Sequence, residues 1–202
     1  MTQQRRCLLG AVVGLTLLIP GSAVAQNKTE NYPDNSAPAV PTVADSAKPG
    51  APQASLAKLA GEYDRIVKFV GQTGAAAAPS SGTAKITVVL GGRFILEESS
   101  DTVFGRPVEG LRLYGYNNIT KHYEMTRMYT MSTGITMMRG TSGDGGKTID
   151  FSGEADTSGM ARMPLHAHFR QVDDDQFVVT LSTAGPDGKE SAFQETTYTR
   201  KK

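Results

Sequence analysis

At 202 residues, with 21 Lys and Arg against 20 Asp and Glu, the chain is long enough for one sizeable domain and carries a net charge of +1. That balance excludes the basic footprint of a nucleic-acid-binding or anionic-lipid-binding protein. A single cysteine, Cys7, excludes an intrachain disulfide framework and a thiolate metal site.

The chain opens with Arg5-Arg6, an apolar run from Cys7 to Ile19, a Pro20-Gly21 break and the small-residue triplet Ala23-Val24-Ala25. A basic start, a short apolar core and an A-x-A end make residues 1–25 a secretory signal peptide. The apolar run falls short of the ~20 residues a membrane span needs. Arg5-Arg6 also resembles a twin-arginine signal but lacks the usual preceding Ser or Thr, so ordinary export to the periplasm or medium of a bacterium is the expectation. Cleavage removes two arginines, no acid and the one cysteine, leaving a chain of net charge −1 held by packing alone. Neither membrane insertion after cleavage nor nucleic-acid binding is expected.

Residues 26–55 are rich in Pro, Ala and Ser, with Val40 and Val43 as their large aliphatics. Such a stretch buries too little apolar surface to offset its ordering entropy and reads as a disordered linker. Residues 56–202 read as the folded domain. Leu56 to Ala60 allows one helical turn, after which strand-like runs, those on either side of Gly91-Gly92 with a clear period of two, predict strands near 63–70, 83–90, 93–99, 108–116, 122–130, 135–140, 148–153, 163–172, 176–182 and 191–200. Ala84, Ile86, Val88 and Leu90 share one face of the second run. Gly91-Gly92 after it supplies the φ-permissive link of a hairpin corner. Short links such as Asn117-Asn118, Asp144-Gly145-Gly146 and Asp173-Asp174-Asp175 separate the others. About ten closely spaced strands predict an all-β, antiparallel up-and-down barrel, whose closure removes exposed edges without disulfides.

Several motifs carry a family resemblance. Leu59-Ala60-Gly61-Glu62-Tyr63 resembles the Gly-x-Trp entry of calycin-type barrels. Leu90-Gly91-Gly92-Arg93-Phe94, Gly115-Tyr116-Asn117, Met131-Ser132-Thr133-Gly134-Ile135, Gly185-Pro186-Asp187-Gly188 and Tyr198-Thr199-Arg200-Lys201 together resemble the bacterial domain of unknown function 1579. The resemblance implies a lipocalin-like barrel and no established activity. It also implies a structural pair, because in calycin-like folds a basic residue of the last strand covers the entry aromatic; here these are Arg200 and Tyr63. The sequence departs from the family pattern at Tyr63, where Trp is usual, and at Arg127 and Tyr129, where Trp and Asp are frequent.

The chemistry-bearing motifs mostly take plain readings. The Gly140–Thr148 stretch has Thr141 where a P-loop needs its first glycine and precedes a strand, so it is a hairpin turn. His166 and His168 share a strand face that the apolar Leu165, Ala167 and Phe169 leave outside, and a third ligand is missing. Met125, Met128, Met131, Met137 and Met138 suit core or pocket lining better than Cu(I), since no His or Asp repeat accompanies them. Asp173-Asp174-Asp175 lacks the rest of a calcium loop, and no nucleophile elbow or acid–base pair occurs. No catalytic residue, metal or cofactor is expected, and the sequence argues for no enzyme activity.

One hairpin carries a binding hypothesis. A turn at Asn118-Ile119-Thr120-Lys121 sets His122 opposite Asn117, Tyr116 opposite Tyr123, Tyr114 opposite Met125 and Arg112 opposite Arg127. The more polar His122, Glu124 and Thr126 belong outside, which puts Tyr114, Tyr116, Tyr123, Met125 and Tyr129 inside with two opposed arginines. Like charges so placed need neutralising. Arg112 and Arg127 are therefore candidates to hold the anionic group of a small amphipathic ligand, with the tyrosines and Met125 around its apolar body. Salt bridges to internal carboxylates, or a turn shifted by one residue, are the alternatives. Two functions stay open: a small-molecule-binding barrel, or a structural or interaction module of the cell envelope with a filled interior. A hollow or a packed barrel separates them.

Overall fold

The computed structural model describes residues 42–70, 78–157, 160–185 and 188–202. Residues 1–41, on which the leader and much of the linker fall, lie outside the described residues. Two short helices, α1 (Val43–Ser46) and α2 (Ala51–Ala57), precede ten strands. These are β1 (Gly61–Phe69), β2 (Ser80–Val89), β3 (Phe94–Val103), β4 (Arg106–Asn117), β5 (His122–Tyr129), β6 (Thr136–Thr141), β7 (Thr148–Thr157), β8 (Met160–Gln171), β9 (Gln176–Ala184) and β10 (Glu190–Arg200). Each pairs antiparallel with its neighbours in chain order, and β1 also pairs with β10, closing a barrel. Every run of period two in the sequence falls on one of the ten strands. Alternation is what closure needs: in β1, Tyr63, Arg65 and Val67 are buried while Glu62, Asp64 and Ile66 are exposed.

The turns explain the register. Leu90, Gly91 and Gly92 have φ of 51°, 65° and 85°, three left-handed residues in succession, and so link β2 to β3 at the glycine pair. Phe104 and Gly105, both at positive φ, make the two-residue link of β3 to β4. Between β4 and β5, Asn117 Oδ1 accepts hydrogen bonds from the backbone N–H groups of Ile119 and Thr120, at 3.0 and 3.2 Å. That turn sets Arg112 opposite Arg127 and Tyr114 opposite Met125.

One end of the barrel is plugged. The expected linker reached Ser55, but α2 covers the last five of those residues, so the ordered domain begins upstream of the predicted boundary. Few apolar residues are needed there: Leu56 joins the core, and the buried Gln53 donates from Nε2 to Tyr116 O at 2.9 Å and Asn118 Oδ1 at 3.1 Å. At the same end the Arg200 guanidinium carbon lies 4.9 Å from the Tyr63 ring centroid, and its N–H groups donate to the carbonyls of Ala60 and Lys58. A Cβ at Gly61 would lie 2.2 Å from Arg200 Nη1, which is the steric reason for a glycine two places before the aromatic. Behind this cap Phe177 stacks on Tyr198 at 4.1 Å, and Tyr63 and Phe169 pack against Phe177.

Candidate functional site

The other half of the barrel is hollow. A cavity of about 260 Å³ lies there. Its charged floor comes from the inward positions of four strands, Arg65 on β1, Asp101 on β3, Arg112 on β4 and Arg127 on β5. Its wall is mostly apolar, with Val67, Phe69, Val103, Val108, Leu165 and Phe193, and Thr183, Gln194 and the exposed Asp156 among them. Gly110 keeps space open: a Cβ there would lie 2.8 Å from Ser99 Oγ. On one side β6 is short. Its ladder with β5 ends at Arg127 and Thr136, and beyond it the six exposed residues 130–135 take over, with Met131 reaching the cavity.

Strand register builds two ionic rows. In the first, Arg65, Gly82 and Asp101 are successive cross-strand partners on β1, β2 and β3. Arg65 Nη1 meets Asp101 Oδ2 at 2.6 Å across the glycine, both groups being buried. A Cβ on Gly82 would lie 2.0 Å from Asp101 Oδ1 and 2.5 Å from Ser100 O, so no other residue leaves room for this pair. Gly82→Ala is therefore expected to destabilise the fold by about 1–3 kcal/mol, the usual range for overpacking, because backbone as well as the carboxylate must shift. A chemical denaturation curve with an unchanged midpoint would show this packing argument to be wrong.

In the second row Glu97, Arg112 and Arg127 are successive partners on β3, β4 and β5. Arg112 Nη1 donates to Glu97 Oε1 at 2.5 Å and to the Tyr198 hydroxyl at 2.7 Å. That hydroxyl in turn donates to Glu97 Oε1 at 2.8 Å, and Tyr114 donates to Oε2 at 3.3 Å. Burial works to raise the Glu97 pKa, but the charges of Arg112 and Arg65 and the two tyrosine hydrogen bonds outweigh it and hold the carboxyl below its ordinary value. Burial likewise works against the Arg112 charge, and Glu97 more than offsets it, so Arg112 is held well above its ordinary value. Tyr198 is pushed up to about 12, chiefly by burial. Asp101 goes up as well, because burial outweighs Arg65 and Arg112.

Arg127 is different. Its guanidinium lies over the Tyr129 ring, 4.7 Å from the centroid, and makes no ion pair or hydrogen bond among the described residues. Burial, and then the facing charge of Arg112, bring its pKa down to about 10. Among the described residues the two ionic rows thus hold three guanidiniums, those of Arg65, Arg112 and Arg127, and two carboxylates, that of Asp101 at the floor and that of Glu97 behind it. One positive charge is left over.

Of the residues expected to form the site, Arg112, Arg127 and Tyr129 line the cavity. Tyr114 is buried on Glu97. Tyr116 and Tyr123 pack edge to face at 5.0 Å, and Met125 belongs to the core, so these three lie in the filled half. Sequence reasoning also gave Arg112 and Arg127 the same task; in the structure Arg112 is neutralised by Glu97, whereas Arg127 faces the cavity with no ion-pair partner among the described residues. Arg65, Asp101 and Tyr198 were given no role in the site, and Glu97, weighed only as half of an acid–base pair with Glu98 and set on the face opposite Phe94 and Leu96, proves to be buried. The available signal was positional: Arg65 is two places from the inward Tyr63, and Glu97 is two from the inward Ile95. Elsewhere His168 Nδ1 sits 2.5 Å from Asp150 Oδ1 on the outer face, and no group of three metal-binding side chains occurs among the described residues. The Gly140–Thr148 stretch is a hairpin turn pinned by Asp144, whose carboxylate accepts from Thr148 N and Oγ1 and has its pKa lowered to about 2 by those bonds.

A closed ten-stranded antiparallel barrel, plugged at one end by an N-terminal helix, with a Gly-x-aromatic entry covered by an arginine of the last strand, is a lipocalin-like barrel of the calycin type. The chain belongs to the DUF1579 family of proteins of unknown function, whose model matches residues 48–200. No curated protein matches it. Among solved structures it is similar to the S-type phycobiliprotein lyase CPES from Guillardia theta, at 10% identity and a TM-score of 0.52, covering 74% of this chain and 92% of that one. A de novo designed fluorescence-activating β-barrel matches at 13% identity and a TM-score of 0.39, covering 73% and 97% of the two chains. At 10% identity the likeness to the lyase is one of fold.

Proposed function

We propose that this protein is an exported carrier or sensor barrel that binds a small amphipathic anion in its cavity, with the negative group on Arg127 and the apolar body against Val67, Phe69, Val103, Val108 and Phe193. The observation that carries the reading is the unpaired guanidinium of Arg127, directly across from Arg112 at the floor of an apolar cavity. A charge drawn away from water is costly unless an opposite charge meets it, and among the described residues the inner carboxylates Glu97 and Asp101 are already engaged, while Asp156 at the exposed rim pairs with Arg162. The hollow half favours a ligand over a filled interaction module. Export rests on the leader at residues 1–25.

The test is thermal unfolding of the protein without its leader (residues 26–202), wild type and Arg127→Gln, with octanoate, benzoate, octyl sulfate and octyl phosphate. A ligand that binds only the folded state at a hundred times its Kd adds about 2.7 kcal/mol of stability, a rise of several degrees for a domain of this size. The wild type is expected to rise with at least one of these anions and the variant to stay flat. No rise with any anion, or an equal rise in the variant, removes the anion site.

A further inference from the structure

The floor of the cavity restricts the ligand further than its sign; this rests on the reading of the cavity as an anion site. Three features bear on the head group. The charge excess is one, since Arg65 is bridged to Asp101 and Arg112 to Glu97. A monovalent head cancels it, whereas a divalent head replaces one unbalanced, half-buried charge by another of opposite sign. The Tyr129 ring covers one face of the Arg127 guanidinium at 4.7 Å and leaves the planar N–H edge for the ligand. A planar, two-oxygen acceptor matches that edge with two parallel hydrogen bonds. Finally, the carboxylates of Glu97 and Asp101 stand close enough to Arg112 and Arg65 that a bulky anion reaching past Arg127 meets negative charge.

Volume bears on the tail. A cavity of about 260 Å³ lies at the small end of the range of ligand sites, so the body it takes is short. The ordering of the lining sets the direction. Arg65, Arg112 and Arg127 are the innermost lining residues of β1, β4 and β5, while Phe69, Val103, Val108 and Met131 lie further along, away from the plugged end. A ligand therefore enters head first and leaves its tail against apolar side chains.

We infer that the ligand class is the monovalent carboxylate, held through both oxygens by Arg127, with an apolar body filling the cavity at six to eight carbons. Calorimetric titration at pH 8 tests this with straight-chain monocarboxylates from butyrate to dodecanoate, and with octyl phosphate, octanol and octylamine. Affinity is expected to rise about fourfold per buried methylene and to level off near seven or eight carbons. Octyl phosphate, mostly divalent at this pH, is expected to bind at least tenfold more weakly than octanoate, and octylamine not at all. Arg127→Lys keeps the charge but not the fork and is expected to weaken octanoate at least tenfold, with its thermal melt as the check on folding. Octyl phosphate equal to or tighter than octanoate, a lysine variant equal to the wild type, or affinity climbing unbroken to dodecanoate overturns the inference. If that happens while Arg127→Gln still abolishes binding, the anion site stands and only the carboxylate assignment falls. If no anion binds the wild type, both fall. The wild-type series decides the point even if a variant fails to fold.

Discussion

Glu97→Gln is expected to destabilise the barrel by about 3–5 kcal/mol and to lower its melting temperature by on the order of 10 °C. The glutamine keeps the shape but removes the charge that faces Arg112, and Arg112 and Tyr198 sit on that carboxylate at hydrogen-bond distance in a barrel core. Three guanidiniums would then share the interior with the single carboxylate of Asp101. The pH dependence fixes the sign. Because the folded-state pKa of Glu97 lies below its ordinary value of 4.5, its contribution is fully present above that value and is lost as pH falls through the lower, folded value. Asp101 acts in the opposite sense. Its pKa is raised in the fold, so its ionisation weakens the native state above the raised value, and acid relieves that penalty. The gap between wild type and Glu97→Gln should therefore be widest near neutrality and narrow below pH 4.5. The double variant Glu97→Leu with Arg112→Met removes both charges and is expected to be more stable than Glu97→Gln alone, since an apolar replacement of a whole buried pair is often near neutral. A double variant no more stable than the single one would falsify the view that the cost lies in the stranded charge.

The same network shows how far residue pattern reaches. Most of the ten strands were legible because they alternate, β9 with its run Phe177-Val178-Val179 being an exception, and of the registers open to β4 and β5 the structure takes the one set by the Asn118–Lys121 turn, which Asn117 Oδ1 pins. The Gly91-Gly92 corner was legible for the same local reason. What apolar patterning hid was the ionic interior. On β3 the inward row is Ile95, Glu97, Ser99, Asp101 and Val103, and hydrophobicity alone gives no reason to prefer it to the row of Phe94 and Leu96. The preference comes from partners far away in sequence: Tyr198 lies 101 residues from Glu97 and Asp101 lies 36 from Arg65. Nor could the sequence separate Arg112 from Arg127. They are equivalent in the hairpin and differ only because β3 flanks one and the short β6 flanks the other. Helix α2 was missed for a related reason. Its anchor is a polar residue, Gln53, whose burial depends on a carbonyl and an amide supplied by the β4–β5 turn.

Replacing Arg127 by methionine is expected to stabilise the ligand-free protein by about 1–2 kcal/mol while abolishing anion binding. Function and stability pull apart at this residue. Methionine keeps an unbranched, flexible chain against the Tyr129 ring and removes a charge that burial and Arg112 both oppose. The stack on Tyr129 contributes about 0.5–1 kcal/mol in the other direction, which is why the net gain stays modest. The pH response carries a sign of its own. A guanidinium whose folded pKa falls from 12.5 to about 10 is a penalty to folding below pH 10, and the penalty is withdrawn as pH rises through that value. Buried tyrosines complicate the absolute curve, because Tyr114 and Tyr198 have raised pKa values and their ionisation in the unfolded chain lowers stability above pH 10. Both proteins share that loss, so the difference between them isolates Arg127. Denaturation midpoints of wild type and Arg127→Met from pH 7 to 11 should show the variant more stable at neutral pH and the two converging toward pH 11. A variant less stable than the wild type at pH 7 would mean that Arg127 is a structural cation already at rest in the empty barrel, and the case for an anion to complete the cavity would lose its physical basis.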